Sequence, residues 1–222
     1  MVMLSAHRGG PEGHLVPNAF DTIDAACALG VDLIEFDVRT NSAGEFVIGH
    51  DVASTLPVRA VLDLIKGRAR AHVDLKEPTG EVALADLCAE VLGTGNFVIT
   101  TRYDASIRRL RTGRPDVVVG LSIGREGIRI GPVGVAWLGW SELFPWRRLR
   151  RCGANLIAAH YRLARWGVLA GAQRRGLPVL VWTLNTEPLI RAAQRDDRIW
   201  AFTTDYPRLA MRIAAESPGS SR

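Results

Sequence analysis

Residues 32–38 read Asp-Leu-Ile-Glu-Phe-Asp-Val. Leu33, Ile34, Phe36 and Val38 give the stretch the composition of a short buried strand, and Glu35 and Asp37 interrupt it two positions apart. On a strand, positions i and i+2 share one face, so the two carboxylates stand side by side. Like charges held that close repel, and removing them from water is costly unless something compensates. A divalent cation is the simplest compensation. An isolated Glu-x-Asp is ordinarily a solvated strand end, so the weight of the reading falls on what accompanies it.

Seven further apolar or β-branched runs occur at 3–6, 71–75, 97–100, 117–121, 154–158, 178–182 and 201–203, giving eight strands with 32–38. Helical patterns fall between them at 19–29, ending at Gly30, and at 58–65, 81–92, 105–110, 140–151, 163–175, 187–194 and 207–215. Strand and helix alternate eight times. That is the pattern of an α/β protein built as a parallel (β/α)8 TIM barrel, with a doubly wound open sheet as the alternative. A short extra strand is expected near 46–49, after the turn at 41–44. The 222 residues, 47% hydrophobic, suit a single domain, here 1–215, with 216–222 a Ser/Gly/Pro tail expected to be disordered.

A barrel gathers function at the C-terminal ends of its strands. Polar residues do cluster there: His7 and Arg8 after the first strand, Glu35 and Asp37 on the second, and Asp74 and Lys76 at the third. Trp182 and Asn185 follow at the seventh, and Asp205 at the eighth. Glu35, Asp37 and Asp74 make a hard oxygen set suited to Mg²⁺ or Ca²⁺ and ill suited to zinc or copper. His7 and His50 are placed to exchange protons near neutral pH, and Arg8 and Lys76 add positive charge. A metal, two cations and two histidines around one pocket describe phosphate ester cleavage. His14, His72 and His160 read as structural histidines.

The remaining composition narrows the partners. The net charge of +5 comes largely from arginines without interleaved aromatics, a solvated surface rather than a nucleic-acid interface. Cys27, Cys88 and Cys152 stand far apart, as buried thiols in a reducing compartment do. No run is long enough for a transmembrane segment and the first residues lack the layout of a secretory signal, so the expected location is cytoplasmic. The apolar, glycine-rich stretch 123–138, followed by Trp140, is a candidate membrane or partner contact, the alternative being a loop packed on the barrel. The oligomeric state is not legible.

These residues resemble the glycerophosphodiester phosphodiesterases. The resemblance rests on His7-Arg8-Gly9, Asn18, Gly30-Val31-Asp32, Ile34 to Val38, Gly49-His50-Asp51, Asp74-Leu75-Lys76, Gly153-Ala154, Val181 to Asn185 and Thr204 to Pro207. It implies a (β/α)8 barrel, a divalent cation, and hydrolysis of glycerophosphodiesters such as glycerophosphocholine, small or lipid-derived substrates, to glycerol 3-phosphate and an alcohol. It further implies His7 and His50 as the acid/base pair, Glu35 and Asp37 as metal ligands, Arg8 on the phosphate, and Trp182 lining the pocket. Three departures stand out. Pro17 occupies a position where the family has glutamate, the third ligand is Asp74 rather than glutamate, and the excursion after the His-Asp pair is missing. The expected site is therefore open. Two other activities compete: a phospholipase D-like lyase that releases a cyclic phosphate from lysophospholipids, and a decayed barrel that binds an anion without turnover.

Overall fold

The computed structural model describes residues 2–49, 56–124, 142 and 144–216. Its strands are β1 (Met3–Ala6), β2 (Leu33–Thr40), β3 (Phe46–Ile48), β4 (Leu56–Pro57), β5 (Arg70–Leu75), β6 (Phe97–Thr101), β7 (Val118–Ile123), β8 (Leu156–His160), β9 (Val179–Trp182) and β10 (Ala201–Thr204). The helices are α1 (Phe20–Leu29), α2 (Val58–Ile65), α3 (Glu81–Leu92), α4 (Asp104–Gly113), α5 (Trp146–Cys152), α6 (Tyr161–Leu163), α7 (Leu169–Gln173), α8 (Glu187–Gln194) and α9 (Pro207–Glu216).

Eight parallel strands run β1-β10-β9-β8-β7-β6-β5-β2, and β1 pairs with β2 through Ser5 with Leu33 and Ala6 with Ile34. That last pairing closes the sheet, which makes the fold a (β/α)8 barrel and excludes the open doubly wound alternative. The expected extra strand is β3, antiparallel to β2, and it carries the unexpected two-residue β4.

Alternation sorts β2 cleanly. Ile34, Phe36 and Val38 are fully buried in the layer between barrel and helices, whereas Leu33 belongs to a second, smaller cluster inside the barrel with Val98, Leu156, Leu180 and Ala201. Glu35 and Asp37 share the parity of Leu33 and so point inward above it. The apolar interior plug thus gives way, towards the C-terminal ends, to a polar floor.

Several boundaries differ from those read from sequence. The strand expected at 154–158, β8, starts at Leu156, because the Asn155 side chain accepts the Val119 N–H at 2.7 Å and stands in for a ladder bond. The helix expected over 163–175 is interrupted by a π-helical stretch, Ala164–Val168, in which Gly167 takes φ 123°. The helix expected over 140–151 is seen as α5, its first part lying outside the described residues, as do most of 123–138 and the tail from 217. No described helix is long and apolar enough to cross a membrane.

Candidate active site

The turn after β1 is built to serve the two acids of β2. Arg8 takes a left-handed conformation, φ 50°, and its backbone N–H donates to Glu35 Oε2 at 2.7 Å. Its side chain brings Nε to 3.1 Å from Asp37 Oδ2. Among the described residues Asn18 is the other non-glycine residue with positive φ, 62°, a conformation asparagine tolerates better than most. Its Nδ2 donates to Asp37 Oδ2 at 3.0 Å, its Oδ1 accepts the Asp37 N–H at 3.2 Å, and its own N–H donates to the Arg8 carbonyl at 3.0 Å. Both strained residues of this turn therefore converge on one carboxylate, the placement expected when strain is retained for a site. Gly10 closes the turn at φ 73°, where a Cβ would come within 2.5 Å of Pro207.

Asp74 enters from β5, in register with Asp37. One oxygen accepts the Thr100 hydroxyl at 2.7 Å and the other touches Lys76 Nζ. Because the Thr100 proton is given to Asp74, the 3.1 Å contact between His72 Nε2 and Thr100 Oγ1 assigns the proton to Nε2, and His72 Nδ1 accepts from the Ser5 hydroxyl at 3.2 Å. Burial pushes the His72 pKa down to about 4, so the ring is neutral and fixes Asp74 through Thr100. Ligand oxygens of Glu35, Asp37 and Asp74 all lie within 4.8 Å of one another, so the shorter aspartate still reaches the group.

His7 is clamped on the other side. Its Nδ1 is 2.6 Å from Asp205 Oδ1, and its Nε2 faces Glu35 Oε2 at 3.9 Å. Asn185 in turn donates to Asp205 Oδ2 and accepts the Asp205 N–H at 3.0 Å. Burial disfavours a charged His7, but the Glu35 and Asp205 carboxylates outweigh it and raise its pKa. Burial drives Glu35 the other way from a free acid, up to about 7, with the Asp37 charge reinforcing it against His7. Asp37 is buried too, yet Lys76, 2.7 Å from Oδ1, together with Arg8 and Asn18, holds its pKa below the ordinary value. The same acids raise Lys76 well above its usual range despite burial.

These groups line a cavity of about 390 Å³ at the C-terminal mouth of the barrel. Of the residues expected from sequence, His7, Arg8, Glu35, Asp74, Lys76 and Trp182 line it, and Asp37 is ion-paired with Arg8 and Lys76 of that lining. His50 lies outside the described residues, although the Gly49 N–H donates to the Asp37 carbonyl at 3.0 Å and so anchors the chain beside the acids. Pro17 is exposed, and Asn18 alone links that turn to Asp37 by side-chain hydrogen bonds. His72, read as merely structural, belongs to the site as a support. Asp205 and Asn185, which the strand ends place at the mouth without a role, prove to orient His7. His160, also read as structural, packs edge-on against Trp182 at 5.3 Å.

Residues 7–106 match the model of the glycerophosphoryl diester phosphodiesterase family, a segment that holds His7, all three acids and Lys76. Over that segment the chain is similar to that family. The matched segment is its first half-barrel, and the likeness of fold extends over the rest. A protein from Silicibacter pomeroyi superposes with a TM-score of 0.80 at 18% identity, covering 97% of this chain and 94% of that one. A glycerophosphodiester phosphodiesterase from Agrobacterium tumefaciens gives 0.75 at 18%, covering 97% and 100%. An Oleispira antarctica phosphodiesterase, solved in complex with the product sn-glycerol-3-phosphate, gives 0.73 at 17%, covering 96% and 97%. Among curated protein sequences none matches.

The divalent cation this phosphodiesterase family implies fits the residues present. Glu35, Asp37 and Asp74 offer hard oxygens, and Asp37 Oδ1 is buried with no aligned hydrogen-bond donor. Three carboxylates against Arg8 and Lys76 leave one excess negative charge. A dication turns that into one excess positive charge, which a singly charged phosphodiester cancels.

Proposed function

We propose that this protein hydrolyses glycerophosphodiesters derived from lipids, releasing glycerol 3-phosphate and the second alcohol. The observation that carries the reading is His7, held between Asp205 and the three-carboxylate group with its Nε2 directed into the cavity. Water attacks phosphorus, the bond from phosphorus to the alcohol oxygen breaks, one proton leaves the water and one is delivered to the departing oxygen. His7 serves one of these transfers, and His50, on the family resemblance, serves the other. Arg8 and Lys76 face the phosphoryl oxygens and favour the charge that grows there. Mg²⁺ or Ca²⁺, held by Glu35, Asp37 and Asp74, would supply Lewis-acid polarisation of the phosphoryl group. Trp182, backed by His160, gives the cavity an apolar wall.

The test is turnover of glycerophosphocholine and bis(p-nitrophenyl) phosphate by purified protein with Mg²⁺ or Ca²⁺, followed by ³¹P NMR. Glycerol 3-phosphate as the product is the expected result. A cyclic phosphate that accumulates would replace hydrolysis by the lyase reaction, and no turnover with either ion would sink both.

A further inference from the structure

The cavity has two chemically different sides. The side formed by β1, β2 and β5 holds the carboxylates, His7, Arg8 and Lys76, which fixes where the phosphoryl group sits. The side formed by β6 to β10 is lined by Thr100, Tyr103, Ser122, Trp182 and other uncharged residues, with one exception, Arg102. No carboxylate is among the described lining residues on that side. Arg102 follows the last residue of β6, is exposed at the mouth, and has no hydrogen-bond or ion-pair partner for its guanidinium among the described residues. Its neighbours show that this is not the general condition of arginines here. Arg39, two strands away on β2, is held by Glu77 at 2.9 Å, and Arg148 by Asp104 at 2.7 Å, leaving neither acid to neutralise Arg102.

A diester with phosphorus between Arg8 and Lys76 must send one of its alcohols towards β6 to β9, because that is where the cavity continues. A quaternary ammonium placed there meets Arg102 and, among the described residues, no compensating carboxylate. A carboxylate or phosphate there meets a planar donor fork able to take two hydrogen bonds at once. Resting on the phosphodiesterase reading of the site, we infer that Arg102 selects glycerophosphodiesters whose second alcohol carries an additional negative charge, and disfavours choline esters. The aromatic faces of Trp182 and Tyr103 are the competing attraction for an ammonium group, and the preference of the wild type weighs the two directly.

The experiment compares kcat/KM for 1,3-bis(glycerophospho)glycerol, whose second alcohol bears another phosphodiester, with that for glycerophosphocholine. The wild type is expected to favour the former by about tenfold or more. Arg102→Gln is expected to reduce that ratio by about tenfold, through KM rather than kcat, and Arg102→Lys to recover part of it. Calorimetric binding of both esters to metal-free protein gives a second readout independent of turnover, with the same ranking expected. A wild type that prefers the choline ester, or a ratio and a binding difference that Arg102→Gln leaves unmoved, overturns the inference while the phosphodiesterase reading stands. If neither ester is cleaved, that reading fails, and the calorimetric ranking alone decides whether Arg102 recognises the anion.

Discussion

His7 owes its proton affinity to two neighbours, and only one of them is free of the proposed metal. Asp205 raises the His7 pKa through the bond to Nδ1, so Asp205→Asn removes that contribution and the His7 limb of the pH–rate profile moves to lower pH. A shift of the acid limb identifies His7 as the base, and a shift of the alkaline limb identifies it as the acid. We expect kcat to fall by about 10- to 100-fold as the ring loses its orientation. Asn18 is the corresponding support for Asp37. Asn18→Gly keeps the positive φ accessible and deletes only the side-chain bonds, so it should weaken Mn²⁺ or Ca²⁺ binding by about 10- to 100-fold in calorimetry. Asn18→Ala should do the same and also melt at a lower temperature, since alanine resists a φ of 62°. These two supports are legible in the sequence to different degrees. Asn18 stands in a recognisable motif, but its role depends on a turn whose strain no spacing reveals. Asp205 lies 198 positions from His7, and only closure of β1 against β10 brings them together. His72 reads as structural because its partners, Ser5 and Thr100, come from other strands of the barrel.

At the scale of elements, β2 does two jobs with alternate residues, and its alternating sequence already displays that division. Its outward face holds the helix layer in place: Phe36 is fully buried, and Phe36→Ala should cost about 3–5 kcal/mol. For a chain of this length that lowers the melting temperature by about 2–4 °C per kcal/mol, measurable by calorimetry without added metal. An equal loss on replacing inward-facing Glu35 by Gln would contradict the division. The strand pattern is legible because each barrel strand is short, apolar and punctuated by glycine or a polar cap. The helices are legible where an apolar stripe persists, as in α2 and α3. Sequence reasoning fails where a side chain replaces backbone pairing, as Asn155 does ahead of β8, and where the helical hydrogen-bond pattern loosens at Trp166 and Gly167. Helix periodicity continues through such a π-helical stretch, so the apolar pattern alone does not reveal the break.

For the whole molecule, the acids that would hold the cation make its stability depend on pH and metal together. Glu35 has a folded-state pKa near 7 against an ordinary 4.5, because burial resists its charge. Below about pH 4.5 it is protonated in both states; as pH rises towards 7 the unfolded chain ionises first, and metal-free stability falls by up to about 3 kcal/mol. His72 works in the opposite sense. Its folded pKa of about 4 lies below the ordinary 6.5, so its contribution is complete above 6.5 and is lost as pH falls towards 4. The difference between wild type and Glu35→Gln, each in chelator, isolates the first effect from the second, and it should grow in favour of the variant from about pH 5 to about pH 8. A divalent cation offsets most of that loss. At about 100 times its dissociation constant it stabilises the native state by about 2.7 kcal/mol, or about 5–10 °C in melting temperature. That shift should be larger near pH 8 than near pH 5.5, where Glu35 must release a proton before it can bind a metal, and it should largely vanish in Glu35→Gln. Thermal melts of both proteins with Mg²⁺, Ca²⁺ and chelator at the two pH values suffice. A cation shift independent of pH and undiminished in Glu35→Gln would place the metal somewhere other than on Glu35, Asp37 and Asp74.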